Sequence, residues 1–295
     1  MSSMESLLAK LGHEIQDPNE ETYDVFSQPR PSQDLGMVDA RAESLDLTIA
    51  GRDFEVKQSP GVLQSSRGGG TTGAAVWQAS VRFAEWLAWP KNPLFSSGAL
   101  DSESAALELG AGISGLVPCV LRRRVRRMVV TDQSYVLKSI RENIAANAVG
   151  SKHGKPKRGA SERQQPSDID VFSLDWENDD IASVLSSNGL EKGVDAVLAC
   201  DCIFNYALIQ PLVESCVDIC KLRIGSEGAD ADPPRPTLCV IAQQLRQPEV
   251  FEQWLEAFHE HFRTWRIPDE MLTDGLKEGT GFVVHVGLVR CTKQN

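Results

Sequence analysis

From Ala105 onward, short apolar runs alternate with helical ones, and that alternation sharply limits the architectures open to this chain. "AALELG" (105–110), "RMVVTD" (127–132), "DVFSLDW" (170–176), "DAVLACD" (195–201), "TLCVIAQQ" (237–244) and "GFVVHVGLVR" (281–290) read as strands. Between them, "ISGLVPCVLRRRV" (113–125), "YVLKSIRENIAAN" (135–147), "ALIQPLVESCVDICKLR" (207–223) and "EVFEQWLEAFHEHF" (249–262) have helical spacing. Strand–helix alternation of this kind predicts an α/β fold on a largely parallel sheet with helices on both faces. At 295 residues and 41% hydrophobic content the chain can bury one large core.

The N-terminal part reads differently. Residues 1–45 are polar and acidic, which predicts an arm with a short helix near Ser6 to Leu11 and an extended remainder. That stretch is too acidic and polar for a signal or transit peptide. "LDLTIAGRDFEVKQ" (45–58) alternates on either side of "AGRD" and reads as a β-hairpin. "QSSRGGGTTG" (64–73) reads as a flexible glycine loop, and "AAVWQASVRFAEWLAW" (74–89) as a helix that stops before Pro90. The expected organisation is therefore an arm over 1–45 and one domain over 46–295. Surface insertions are expected at 150–168 and 225–236.

Gly110, Gly112 and Gly115 spell G-x-G-x-x-G at the end of the first long-fold strand. In open parallel sheets that edge binds ligands. Dinucleotides and S-adenosylmethionine both use such a loop, so its neighbours have to discriminate. Glu108 lies two residues before the first glycine, where a carboxylate repels a pyrophosphate but tolerates a sulfonium and an ammonium. Its other reading is a side chain tied to the loop backbone, which favours a pyrophosphate no better. Asp132, twenty residues after Gly112, suits the two hydroxyls of a ribose, or else caps a helix. Trp176 in "LDW" can lie against an adenine face or pack in the core. "ACDCIFN" (199–205) sets Asp201 and Phe204 beyond a fully apolar strand, where an acid points to function.

Taken together, "GAAVWQASVRFAEWL", "LELGAG", "TDQ", "LDW" and "CDCIFN" resemble the seven-strand, S-adenosylmethionine-dependent protein lysine methyltransferases of family 16. With "AQQLRQPEVFEQWL" and "GFVVHVGLVR" included, the chain is similar to the fungal ribosomal lysine methyltransferases over roughly residues 45 to 290. The resemblance implies a Rossmann-like seven-stranded sheet, mostly parallel, with an antiparallel C-terminal strand. It implies S-adenosyl-L-methionine as cofactor, held by Trp77, the backbone of Gly110, Ala111 and Gly112, the ribose-binding Asp132, and Trp176 and Cys200 at the adenine end. For Trp77 the residues alone suggest helix packing instead.

Asp201 is then expected to hold and orient the substrate amine, because a lysine with pKa near 10.4 must shed a proton before it attacks. The family pattern Asp-x-x-Tyr is here Asp201-Cys202-Ile203-Phe204, so Phe204 offers an aromatic wall to a cation but no hydroxyl. Tyr206 is expected to face away on the next helix. The expected partner is a large-subunit ribosomal protein bound by a monomer in the cytoplasm, with the nucleus as second compartment. The alternatives are a weak or inactive cofactor-binding module, which the missing hydroxyl keeps open, a methyltransferase for another substrate class, and an NAD oxidoreductase.

The remaining features argue against other classes. The formal net charge of −11 disfavours a protein that coats nucleic acid and suits a positively charged partner, or simply solubility. Five arginines in "LRRRVRRM" (121–128) are expected to complement a helix end rather than contact ribosomal RNA, and the basic loop "KHGKPKR" (152–158) is read the same way. No apolar run approaches the ~18 residues of a membrane span. The cysteines at 119, 200, 202, 216, 220, 239 and 291 lack metal-site spacing and read as reduced thiols, most of them buried. His259 and His261 fall on opposite sides of a helix, so no metal is expected.

Overall fold

In a computed structural model, residues 2–29, 31, 36–63, 71–148, 168–224 and 235–290 are described. Most of the glycine loop at 64–73, the basic loop at 152–158, Cys291, and the expected insertions apart from residues 168, 235 and 236 lie outside them. The chain opens with helices α1 (Ser3–Leu11) and α2 (Pro18–Ser27), followed by an antiparallel hairpin of β1 (Ser44–Ile49) and β2 (Arg52–Lys57). The short α3 (Pro60–Leu63), α4 (Gln78–Ala88) and the one-turn α5 (Pro93–Ser96) come next. The main unit then runs β3 (Ala105–Leu109), α6 (Leu116–Leu121), β4 (Arg127–Asp132), α7 (Leu137–Ala148), β5 (Asp168–Ser173), α8 (Ile181–Ser187) and β6 (Ala196–Cys200). It is completed by α9 (Tyr206–Ile224), β7 (Leu238–Gln244), α10 (Pro248–His261), β8 (Phe262–Arg266) and β9 (Phe282–Val289).

Seven strands form one sheet in the order β5-β4-β3-β6-β7-β9-β8. All pairings are parallel except those of β9, which runs antiparallel to both β7 and β8. The expected Rossmann-like α/β class with helices on both faces is therefore observed. One strand was not foreseen: "FRTWR" (262–266) follows α10 without a turn, and its start merges with the helical pattern before it.

Two apolar layers sandwich the sheet. On one face Leu107, Val129, Val197 and Ile241 meet Leu185, Leu212, Trp254 and Phe258 from α8, α9 and α10. On the other, Ala106, Val130, Leu198 and Val240 meet Phe83, Val117 and Ile140 from α4, α6 and α7. The alternation along each strand is the period-2 pleat, apolar on both sides because both are covered.

The acidic N-terminal segment does not run extended. Ser2 and Asp17 cap α1 and α2 through their side chains, and Pro18 starts α2 at a position that needs no N–H. Leu7 and Leu11 are buried on one face of the sheet and Val25 on the other. Between the helices, the Ile15 N–H donates to Thr264 O at 2.8 Å on β8, the outermost strand of its side, and so covers an open sheet edge.

The hairpin is attached by side chains that imitate a strand. Asn143 on α7 accepts from the Lys57 N–H (2.9 Å) and donates to the Lys57 carbonyl (2.9 Å); Asn147 does the same with Glu55 (3.1 and 2.8 Å). The arginines after α6 clasp backbone carbonyls. Arg122 donates to Ala148 O, Arg124 to Leu87 O and Trp89 O, Arg126 to Glu103 O, and Arg127 to Asn188 O and Gly189 O.

Candidate active site

The strand order reverses direction between β3 and β6, and the loops leaving the carboxyl ends of the strands there surround a cavity of about 620 Å³. Trp77, Gly110, Ala111, Gly112, Asp132, Trp176, Cys200, Asp201 and Phe204 all line it. These nine residues come from five separate segments that only the sheet brings together.

The glycine loop answers the question its pattern raises. Gly110, Gly112 and Gly115 have φ of +62°, +59° and +60°, a region that side chains disfavour. A Cβ on Gly110 would also lie 2.8 Å from Cys202 Sγ and 3.0 Å from the Trp176 ring. A phosphate-binding loop offers its N–H groups outward. Here Ala111 N–H donates to Thr131 O (3.2 Å), Gly112 N–H to Asp132 Oδ2 (2.7 Å) and Ile113 N–H to Gly73 O (2.9 Å). With these donors engaged inside the protein and α6 only six residues long, the loop suits a ligand without phosphates.

Asp132 also accepts the Gln133 N–H on Oδ1 at 2.6 Å, so it orders the loop instead of capping a helix. Burial pushes its pKa up to about 6, although the Gly112 and Gln133 hydrogen bonds pull the other way. Its remaining lone pairs are the acceptors a vicinal diol needs. Glu108 stands behind it, fully buried, with Oε2 lacking a hydrogen-bond partner among the described residues. Burial, and then the charge of Asp132, push the Glu108 pKa well above the carboxylate range.

Trp176 follows β5, its ring against Gly110 and its Nε1 without a hydrogen-bond partner among the described residues. Trp77 is not packed inside a helix. It occupies the N-cap of α4, donates Nε1–H to Thr72 O at 3.0 Å and pairs through its backbone with Met37 from the N-terminal segment. Cys200 and Cys202 are buried at the end of β6, and burial pushes both thiols well above their ordinary range, which leaves them protonated. Phe204 is 43% exposed at the cavity wall; Tyr206, 51% exposed at the start of α9, does not line the cavity.

Asp201 is placed as expected but held in an unexpected way. Its φ is +58°, rare for a residue with a side chain, and its N–H donates to Ala242 O at 2.8 Å. The carboxylate accepts Arg246 Nη1–H on Oδ1 (2.7 Å), Arg246 Nη2–H on Oδ2 (2.6 Å) and the Gln244 N–H on Oδ1 (3.3 Å). Arg246, Gln243 and Gln244 were absent from the expected site. The signal for them was "QQLR" at the carboxyl end of β7, the edge where ligands collect. Gln243 is 2% exposed, and its Nε2 has no partner among the described residues. No three His, Cys, Asp or Glu side chains among the described residues group to hold a metal ion.

An open parallel sheet whose β9 is reversed, with a phosphate-free cradle at its switch point, defines a methyltransferase-type α/β protein. The chain belongs to the lysine methyltransferase family, whose model matches residues 57–224. It is 31% identical over 252 residues to the Schizosaccharomyces pombe protein named diaminohydroxyphosphoribosylamino-pyrimidine deaminase, covering 84% of this chain and 52% of that one. The chain thus spans about half the length of that relative. It is 28% identical over 230 residues to ribosomal lysine N-methyltransferase 5 of Zygosaccharomyces rouxii, covering 69% of this chain and 70% of that one. Among solved structures, it is similar to the Pyrococcus abyssi tRNA (uracil-54, C5)-methyltransferase in complex with S-adenosyl-L-homocysteine. That match has a TM-score of 0.42 and 14% identity, over 84% of this chain and 45% of that one.

Proposed function

We propose that this chain is an S-adenosylmethionine-dependent protein-lysine N-methyltransferase acting on a large-subunit ribosomal protein. The observation that carries the cofactor assignment is the glycine loop with its N–H groups turned inward beside Asp132. The residues present fit S-adenosylmethionine. Asp132 can accept from ribose hydroxyls, Trp176 offers a planar face with an unpartnered N–H, and the acids at the cavity suit a ligand with an ammonium and a sulfonium. Family membership supports a lysine as acceptor, and the name of the Z. rouxii relative supports a ribosomal protein.

When bound, the cofactor supplies a sulfonium methyl group: the neutral amine's lone pair bonds to carbon, the C–S pair stays on sulfur, and the amine's proton leaves to water. The chain's own residues supply position and exclusion. Phe204 walls the approach, and Asp201 is anchored by Arg246 instead of standing open to the amine. Alignment of donor and acceptor near 3 Å supplies most of the rate.

The absent hydroxyl at Phe204 and the engaged carboxylate at Asp201 favour a second reading, a cofactor-binding module without turnover. Incubation with labelled S-adenosylmethionine and unmodified fungal large-subunit ribosomal proteins separates the two. One labelled band, mapped to a lysine and weakened at least about tenfold by Asp132→Ala, is the expected result. Cofactor binding by calorimetry with no labelled protein would overturn the ribosomal assignment and leave either the module or a methyltransferase for another substrate class.

A further inference from the structure

We propose that Arg246 is a positioning residue for methyl transfer: by neutralising Asp201 it lets the site accept the substrate amine in its uncharged, reactive form. The inference rests on the lysine methyltransferase reading above.

The geometry is that of a closed ion pair. The Asp201 side chain is 4% exposed, and each carboxylate oxygen takes one guanidinium N–H, at 2.7 and 2.6 Å. This fork-to-fork pairing is the strongest geometry open to arginine and carboxylate. The guanidinium is itself fixed, donating to Gln244 Oε1 at 3.0 Å and lying 5.3 Å from the centre of the Trp77 ring. Strand β7, the N-cap of α4 and the loop after β6 therefore all hold the same pair. Among the described residues lining the cavity Arg246 is the one cation, against Asp132, Asp175, Glu177 and Asp201.

The chemistry explains why such a pair belongs beside a methyl acceptor. An amine with pKa near 10.4 is almost wholly protonated at neutral pH, and an ammonium has no lone pair with which to attack. A bare carboxylate within reach binds the ammonium preferentially and raises that pKa further. A carboxylate already matched by a guanidinium does neither, while still shaping the wall of the site. Among the described residues, the other titratable groups around Asp201 are Glu108 on β3, Asp132 at the end of β4, Tyr135 before α7, Asp175 and Glu177 after β5, and the thiols of Cys200 and Cys202, which burial keeps protonated. None of the other described residues lining the cavity could replace the charge of Arg246.

The test measures kcat and KM against pH, with the ribosomal substrate, for wild type, Arg246→Gln, Arg246→Lys and the double variant Asp201→Asn/Arg246→Gln. Arg246→Gln is expected to lower kcat at neutral pH by about tenfold or more without raising KM. Its kcat profile should rise at a pH at least about one unit higher than that of wild type. Arg246→Lys should restore most of the wild-type profile, and the double variant should return its position, because no uncompensated carboxylate is then left at position 201. An equal loss at every pH, with the profile unmoved, would overturn the proposal and leave Arg246 a structural residue.

A second measurement needs no turnover. n-Butylammonium should bind Arg246→Gln at least about tenfold more tightly than wild type, because the uncompensated carboxylate then faces the cavity. Equal binding also overturns the proposal. If that binding difference holds while wild type transfers no methyl group, the lysine methyltransferase reading fails and the charge compensation stands.

Discussion

Asp132 and Glu108 end neighbouring strands, and both carboxyls are pushed upward, Asp132 to about 6 and Glu108 well beyond the carboxylate range. An acid whose folded pKa is raised stabilises the fold while protonated. For Asp132 that contribution is complete below its ordinary value of 3.8 and is lost as pH rises through about 6. Cofactor binding runs the other way, because accepting from hydroxyls beside a cationic ligand needs the ionised carboxylate. Affinity measured by calorimetry should therefore weaken by up to about tenfold per unit as pH falls below 6, and Asp132→Asn should flatten the curve. A wild-type affinity that does not change between pH 5 and 7 would remove Asp132 from the binding site. The type and spacing of Asp132 were legible in the sequence because a strand end and a glycine loop sit in a fixed relation. The pairing of Asp201 with Arg246 was not, since 45 residues separate the two and only the adjacency of β6 and β7 joins them.

The hairpin shows how an element can be read correctly and its attachment missed. Alternating residues around "AGRD" predicted β1 and β2, and both form. Nothing in "IRENIAANA" announced that Asn143 and Asn147, one helical turn apart, would act as a surrogate strand for Lys57 and Glu55. Both asparagines are nearly inaccessible, so truncating one leaves backbone groups of β2 without partners. Asn147→Ala should cost about 1–3 kcal/mol of stability, and hydrogen exchange should quicken at the Glu55 amide ahead of the central strands. Unchanged exchange there would mean that the hairpin is held by its apolar face alone, through Phe54 and Val56. The seventh strand, β8, escaped the sequence reading for a local reason: five residues following a helix directly give a period-2 pattern too short to separate from the helical one.

The N-terminal helices belong to the same body as the sheet. Glu21 on α2 is 7% exposed and meets His285 of β9 at 2.9 Å, with Arg266 of β8 3.5 Å away. Burial alone would raise the Glu21 pKa, but the His285 hydrogen bond and the charges of His285 and Arg266 outweigh it, and the net shift is downward. A lowered folded pKa gives stability that is present above the ordinary value of 4.5 and is lost as pH falls through the folded value. Glu21→Gln should thus cost about 2 kcal/mol in urea unfolding at pH 7 and progressively less toward pH 3. A cost independent of pH would show that α2 is held by Val25 and Phe26 without help from the ion pair.

By itself the sequence determined the α/β class, six of the seven strands, the glycine loop and the cavity residues Asp132, Trp176, Asp201 and Phe204, because these depend on periodicity and on residue types at strand ends; Trp77 and Cys200 came from the family resemblance alone. Tertiary structure decided three other things. It turned the loop's N–H groups inward, packed the acidic segment against both the sheet and α10, and placed Arg246 on Asp201. Each depends on groups far apart in the chain meeting across the sheet, and a local pattern of hydrophobicity and turns carries no record of such distances.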